Sequence, residues 1–179
     1  MNHATTAYLL DAGNTQVKLA EVKNDLISSV KRFDLNTFPW SDLNGNIPIL
    51  ISSVLSDEWK NSIEDFFRNK IFINVNMKLP FQLAYETPET LGIDRLCNMA
   101  GVARKNPYKP KLVVDLGTCI KCDFMNDQQV YQGGSISPGL NMRAKALHSF
   151  TAKLPNIPVD AHAKLIGKNT RESITSGVF

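Results

Sequence analysis

"VVDLGTCIKCDFMN", residues 113–126, carries Asp115, Gly117 and Thr118 directly before a C-x-x-C pair, Cys119 and Cys122. The cysteines draw attention to redox or zinc chemistry, yet the same phrase stands near the start of the chain, as "LLDAGNTQVKLA" (9–20), without them. Both stretches read two aliphatics, Asp, an apolar residue, Gly, then Thr, two more residues and Lys; the second lacks only the Asn. Each opens on an apolar run, Ala7–Leu10 and Leu112–Val114, expected to be a buried strand. Each continues through a Gly-centred turn into a second β-compatible run. Two β-hairpins are predicted.

Such a turn suits phosphate. Gly13 and Gly117 omit the Cβ where backbone must approach an anion, and Thr15 and Thr118 add hydroxyl donors beside freed N–H groups. Asp11 and Asp115 can act on phosphate only through a cation, as when Mg²⁺ keeps most of its waters and touches one or two carboxylates. One D-x-G-x-T is ordinary turn chemistry. Two copies in one chain point to a pair of anion-gripping hairpins, as in the duplicated ribonuclease-H-like fold of the actin and sugar-kinase superfamily, where ATP lies in a cleft between two halves. That step is analogy at the level of fold. The expected class is α/β, with a first ribonuclease-H-like domain over 1–110 and a second over 111–179, incomplete at its C-terminus.

Strand alternation decides the cysteines. Over 119–125 it sets Thr118, Ile120, Cys122 and Phe124 on one face and Cys119, Lys121 and Asp123 on the other, so Cys119 and Cys122 diverge. A lone C-x-x-C is half a zinc site, and His3, His148 and His162 have no ligand spacing to it. The cysteines are read as small packing residues.

The totals agree with a folded, reduced protein. The 179 residues are 43% hydrophobic and 21% charged, near globular averages. A net charge of +3, with both signs interleaved, gives no basic patch for nucleic acid. No apolar run approaches the ~18 residues of a membrane span, and the N-terminus lacks a signal-peptide pattern. Three cysteines, an odd number, fit reduced thiols and a cytoplasmic location.

Between the hairpins, "IPILISSV" (47–54) reads as a buried strand, "SDEWKNSIEDFFRN" (56–69) as an amphipathic helix capped by Ser56 or Asp57, and "IFINVN" as a further strand. Trp59, Ile63, Phe66 and Phe67 form the helix's inner stripe, read as core. In "YETPETLGIDRLCNMAGVARKNP" (85–107) a helix is expected from Asp94 to the Asn106-Pro107 stop. Asp94 there is either a proton acceptor for a substrate hydroxyl or an N-cap, and Arg95 either a carboxylate or phosphate partner or a solvated side chain. "YQGGSISPGLNMRAKALHSFTAKLP" (131–155) reads as a Gly-Gly step, a Pro-Gly turn and a helix with Leu140, Ala144 and Leu147 inward. Gly139 and Asn141 at its start offer an anion-facing surface. Asn169, three residues before Glu172, marks a capping box opening a last helix.

Taken in order, "DAGNTQVK", "YETPETLGIDR", "DLGTCIKCD", "GGSISPGL" and "NTRESITSG" resemble type III pantothenate kinase across essentially the whole chain. The resemblance implies transfer of the ATP γ-phosphoryl group to the pantothenate hydroxyl, the first step toward coenzyme A, in a cytoplasmic homodimer using Mg²⁺ and K⁺ or NH₄⁺. It assigns Asp11, Ala12, Gly13, Asn14, Thr15, Gln16, Val17 and Lys18 to the first phosphate loop, with Asp11 toward Mg²⁺ and Lys18 toward the nucleotide. Thr118 would contact ATP, and Asp115 would bind the monovalent cation. Asp94 would be the general base. Tyr85, Gly92, Ile93 and Arg95 would line the pantothenate site, joined by Thr170 from the partner subunit. The alternative is a nucleotide-binding accessory or regulatory protein on the same fold, which would have no need of the Asp94-Arg95 pair.

The sequence departs from the family pattern twice. Family members continue beyond the point where this chain stops. The second phosphate loop, usually D-x-G-T-A-x-T-x-D, has Cys119 and Lys121 in place of the Ala and the second Thr. Lys121 then either sits at Asp115 and partly replaces the monovalent cation, or pairs with Asp123 on its own strand face.

Overall fold

Alternation in the first strand, β1 (Thr6–Ala12), buries Tyr8, Leu10 and Ala12 on one side and leaves Leu9 and Asp11 on the other. The computed structural model describes residues 6–13, 16–159 and 162–179. The chain divides into two units, 1–108 and 109–179.

In the first unit, β1 turns back antiparallel onto β2 (Gln16–Lys23), with Asp11 opposite Lys18, and β2 pairs in turn with β3 (Leu26–Asp34). β4 (Ile49–Ser53) lies parallel to β1, α1 (Asp57–Phe66) crosses over, and β5 (Lys70–Phe72) lies parallel to β4. The sheet order is β3-β2-β1-β4-β5. Tyr8, Leu10, Val17, Leu19, Ile49 and Ile51 pack against Ile63 and Phe67 of the helical stripe. Phe38 and Trp40, from the loop before β4, extend that core by meeting Trp59 at 5.5 Å between ring centroids. Edge and tilted ring pairs of this kind each contribute about 0.5–1.5 kcal/mol beyond burial.

Two local readings change. Ser56 holds the N-cap position of α1 without a side-chain cap bond. β3 was not foreseen, because Ser28, Ser29, Lys31 and Arg32 give it a polar, largely exposed pattern that edge strands tolerate. After the short strand β6 (Gln82–Leu83), α2 (Ile93–Ala103) packs against β4 on the sheet face bearing Leu9, Leu50 and Ser52, away from α1.

The second unit opens on the repeated hairpin. β7 (Lys111–Leu116) and β8 (Cys119–Met125) are antiparallel with Asp115 opposite Lys121, and β9 (Val130–Pro138) continues the ladder beside β8. β9 runs through the Gly-Gly step at Gly133-Gly134. Gly133 has φ 98° at a bulge beside Phe124 and Met125, a conformation that suits glycine. A Cβ on Gly134 would overlap the Cys122 carbonyl. The two glycines let the strand continue.

The expectation that Leu112–Val114 is buried is corrected. β7 is a strand, but Leu112, Val114 and Leu116 are exposed, as is Phe124 opposite Leu112. The opposite face of the ladder holds the buried Met125, Tyr131 and Asp123. Asp123 is only 1% exposed, and its Oδ1 accepts the Tyr131 hydroxyl at 2.6 Å.

α3 (Leu140–Ser149) and α4 (Thr170–Val178) bring Ala144, Ile174 and Val178 into one cluster with Ile157. The forward half of the capping box forms, with Asn169 Oδ1 accepting the Glu172 N–H at 2.9 Å, while the Glu172 carboxylate accepts the N–H of Lys168, one residue before the cap, at 2.9 Å. Among the described residues no helix is long and apolar enough to cross a membrane.

Tyr131→Phe removes the donor to a buried carboxylate while keeping the ring. The expected loss is about 1–3 kcal/mol of stability, read as a lower urea midpoint at unchanged slope; an unmoved midpoint would show that the Asp123 contact contributes nothing net.

Candidate active site

Parallel pairing brings Asp11 level with Ser52 near the carboxyl ends of β1 and β4, the side of an open α/β sheet where ligands bind. Lys18 reaches across the hairpin, its Nζ 3.2 Å from Asp11 Oδ2, and both side chains are about half exposed at 47% and 48%. Gly13 donates its N–H to the Gln16 carbonyl at 3.1 Å and closes the turn. Ala12 and Val17 behind it are core residues. Asn14 and Thr15, two of the expected phosphate contacts, lie outside the described residues.

α2 brings the second set of groups to the same sheet face. Gly92 occupies the N-cap position, Ile93 opens the helix half-buried, and Asp94 sits in the first turn. Asp94 Oδ1 accepts the Arg95 N–H at 2.8 Å, which ties the carboxylate to the amide-rich end of the helix. A Cβ on Gly92 would stand 2.7 Å from Asp94 Oδ1, so glycine leaves the carboxylate its room. Asp94 is therefore not the N-cap.

The solvated-Arg95 alternative is overturned by burial. Arg95 is 4% exposed, with its guanidinium 5.8 Å from the centroid of the Tyr85 ring. A buried guanidinium against an aromatic face holds that ring in place. The two residues that the sequence reading assigned to substrate thus form one packed pair.

Ser52 and Cys97 were not singled out in the sequence, since neither stands in a motif. They line a cavity of about 280 Å³ together with Leu9, Asp11, Lys18 and Leu50. Burial pushes the Cys97 thiol above its ordinary value, a hydrogen bond with Ser52 pulls it down, and the charges of Asp11 and Asp94 push it up again. Both carboxylates thus lie close enough to Cys97 to oppose its ionisation. Asp11, at a strand end, can hold a hydrated divalent cation, and Asp94, at a helix start, can take a proton.

The second unit gathers a separate group. Gly117 donates to the Cys119 carbonyl at 3.0 Å, closing the turn around Thr118, and the Gly139 N–H donates to the Thr118 carbonyl at 3.0 Å. A Cβ on Gly139 would overlap the Gly117 and Thr118 carbonyls. The start of α3, where Asn141 is exposed, is therefore seated on the Gly117–Thr118 turn. Lys121 Nζ lies 2.8 Å from Asp115 Oδ2. Thr170 is the exposed first residue of α4. Cys119 and Cys122 are unbridged, and among the described residues no group of three or more His, Cys, Asp and Glu side chains is placed to hold a metal ion.

The model of the type III pantothenate kinase family matches residues 8–179. A protein of Flavobacterium psychrophilum named type III pantothenate kinase is 37% identical over 177 residues, covering 94% of this chain and 73% of that protein. One of Christiangramia forsetii with the same name is 36% identical over 179 residues, covering 96% of this chain and 73% of its own length. A crystal structure of a conserved Campylobacter jejuni protein of the Baf family superposes with a TM-score of 0.63 over 96% of this chain and 73% of its own, at 21% identity. That last likeness carries the fold alone.

Alkylation of Cys97 reports the shared neighbourhood. Asp11→Asn removes one of the charges that raise its pKa, so iodoacetamide labelling of Cys97 at mildly alkaline pH is expected to quicken, with Cys119 and Cys122 as internal references in the peptide map. An unchanged ratio would separate Asp11 from the α2 site.

Proposed function

This chain belongs to the type III pantothenate kinase family and is an ATP-dependent kinase that phosphorylates pantothenate in coenzyme A biosynthesis; we propose that Asp94 is its general base. The observation that carries this assignment is the fixed carboxylate: Asp94 is held by the Arg95 N–H, beside a glycine that leaves it space.

Phosphoryl transfer asks mainly for positioning and for neutralisation of charge on the phosphoryl oxygens. Asp94 accepts the proton of the pantothenate hydroxyl as that oxygen attacks the γ-phosphorus. Tyr85, backed by Arg95, forms a wall of the pantothenate site together with Gly92 and Ile93. The turn from Asp11 to Lys18 receives the nucleotide phosphates through backbone N–H groups and the Lys18 ammonium. Thr118, on its own turn beside the start of α3, supplies a further ATP contact.

Asp11 fits a hydrated Mg²⁺. Its ion pair with Lys18 is open to water on both sides, and such pairs contribute little, so Asp11 could hold the hydrated ion and Lys18 could reach a phosphate instead. Bound there, Mg²⁺ would neutralise charge on the phosphates. The exposed Thr170 at the start of α4 suits a contact to pantothenate from the partner subunit of a homodimer. Three unbridged thiols suit the cytoplasm. The base at Asp94 favours turnover over an accessory role.

A coupled ADP-release assay with ATP, Mg²⁺ and pantothenate tests the assignment. Asp94→Asn is expected to lower kcat by about 10²–10⁴-fold, the usual worth of a general base. Turnover within a few-fold of wild type would move the base elsewhere. Gly92→Ala separates position from stability. Its Cβ would crowd the end of the Asp94 side chain at 2.7 Å, with Arg95 Cδ and Cγ at ordinary contact distances of 3.8 and 3.9 Å, and Gly92 has negative φ, so Tm should stay unchanged while kcat falls by up to about 10²-fold from carboxylate displacement.

A further inference from the structure

The two hairpins place a lysine opposite an aspartate at equivalent points of their ladders, Lys18 opposite Asp11 and Lys121 opposite Asp115. The environments differ. The first pair spans 3.2 Å with both side chains about half in water. The second spans 2.8 Å, with Lys121 17% and Asp115 35% exposed. A cross-strand pair this short, with its ammonium mostly buried, holds its charges under weaker screening than the first, so the ammonium is the more firmly fixed.

A monovalent cation at Asp115 is what the family resemblance implies, and these residues do not fit one. Asp115 Oδ2 already has a unit positive charge in contact with it. A potassium ion brought to the same carboxylate would either stand against that ammonium or displace it from a partly buried position. The lysine ammonium is also the tethered counterpart of NH₄⁺: a compact, hydrogen-bonding point charge on a flexible stem. Asp123, the other acid on this face of β8, accepts the Tyr131 hydroxyl from the side of β9 and is nearly fully buried.

We propose that the Lys121 ammonium is a built-in substitute for the monovalent cation at the second phosphate-type turn, so that Asp115 binds no K⁺ and the chain works without it. The inference rests on the kinase reading for its effect on turnover, but its binding half can be measured in the absence of turnover. It assigns Lys121 a positioning role: holding Asp115 and neutralising it beside the Gly117–Thr118 turn.

The test uses wild type and Lys121→Met in KCl and in choline chloride of equal ionic strength, with two readouts. Thallium-205 NMR, with Tl⁺ as the K⁺ probe, reports binding directly, and thermal unfolding reports ligand stabilisation of the native state. Wild type should show no saturable Tl⁺ signal and the same Tm in both salts. Lys121→Met should acquire both a saturable signal and a K⁺-dependent rise in Tm. In the ADP-release assay, wild type should change less than two-fold between the salts, whereas Lys121→Met should lose about ten-fold or more without K⁺, as expected for ~1.4 kcal/mol of lost transition-state stabilisation. Saturable Tl⁺ binding to wild type, or a ten-fold loss of its turnover in choline, would overturn the proposal. If Lys121→Met fails to fold, the wild-type Tl⁺ titration still decides it. Absence of pantothenate-dependent turnover in every salt would remove the kinase reading and leave the Tl⁺ titration to decide the cation question.

Discussion

Parallel pairing of β1 with β4 is the constraint on which the first unit's chemistry depends. It sets Asp11 beside Ser52 at the strand ends and turns the alternate residues, Leu10 and Ile51, into the core against α1. A one-residue slip of β1 would exchange its faces and bury the carboxylate. Because the face opposite α1 is left for α2, the first turn of that helix arrives where Asp11 already is. Cys97 of that helix lines one cavity with Asp11 and Ser52.

Glycine matters here through what it leaves out. At Gly92 the missing Cβ is space for a carboxylate, and at Gly139 it is contact between a helix start and a turn. Only Gly133 is needed for its backbone angle. These are different physical requirements written with the same residue.

The hairpins, α1, α2 and the capped α4 were legible because each leaves a local mark: period-two or helical spacing, a turn glycine, or a cap. β3 and β9 were not. One is an exposed edge strand whose residues need no apolar alternation, and the other contains a Gly-Gly step whose fit to a strand only the neighbouring backbone explains. The site motifs were readable as residues. The burial of Arg95 against Tyr85 and the cavity shared by Ser52 and Cys97 are tertiary facts with no sequence period. The two partners open to Lys121 were resolved by register, since Asp115 lies directly across the ladder. The exposed face of β7 was misread for a related reason: an aliphatic run specifies a strand without specifying what covers it.

The two hairpins differ by one residue at their tips, yet Asp and Lys remain opposite in both, because Gly13 pairs around Asn14-Thr15 and Gly117 around Thr118 alone. Length changes confined to the tip alter the turn and leave the facing of every strand residue intact. The tip of each hairpin in such a duplicated fold can therefore vary in size independently of the charged pair behind it, which lets one copy specialise without repacking its sheet.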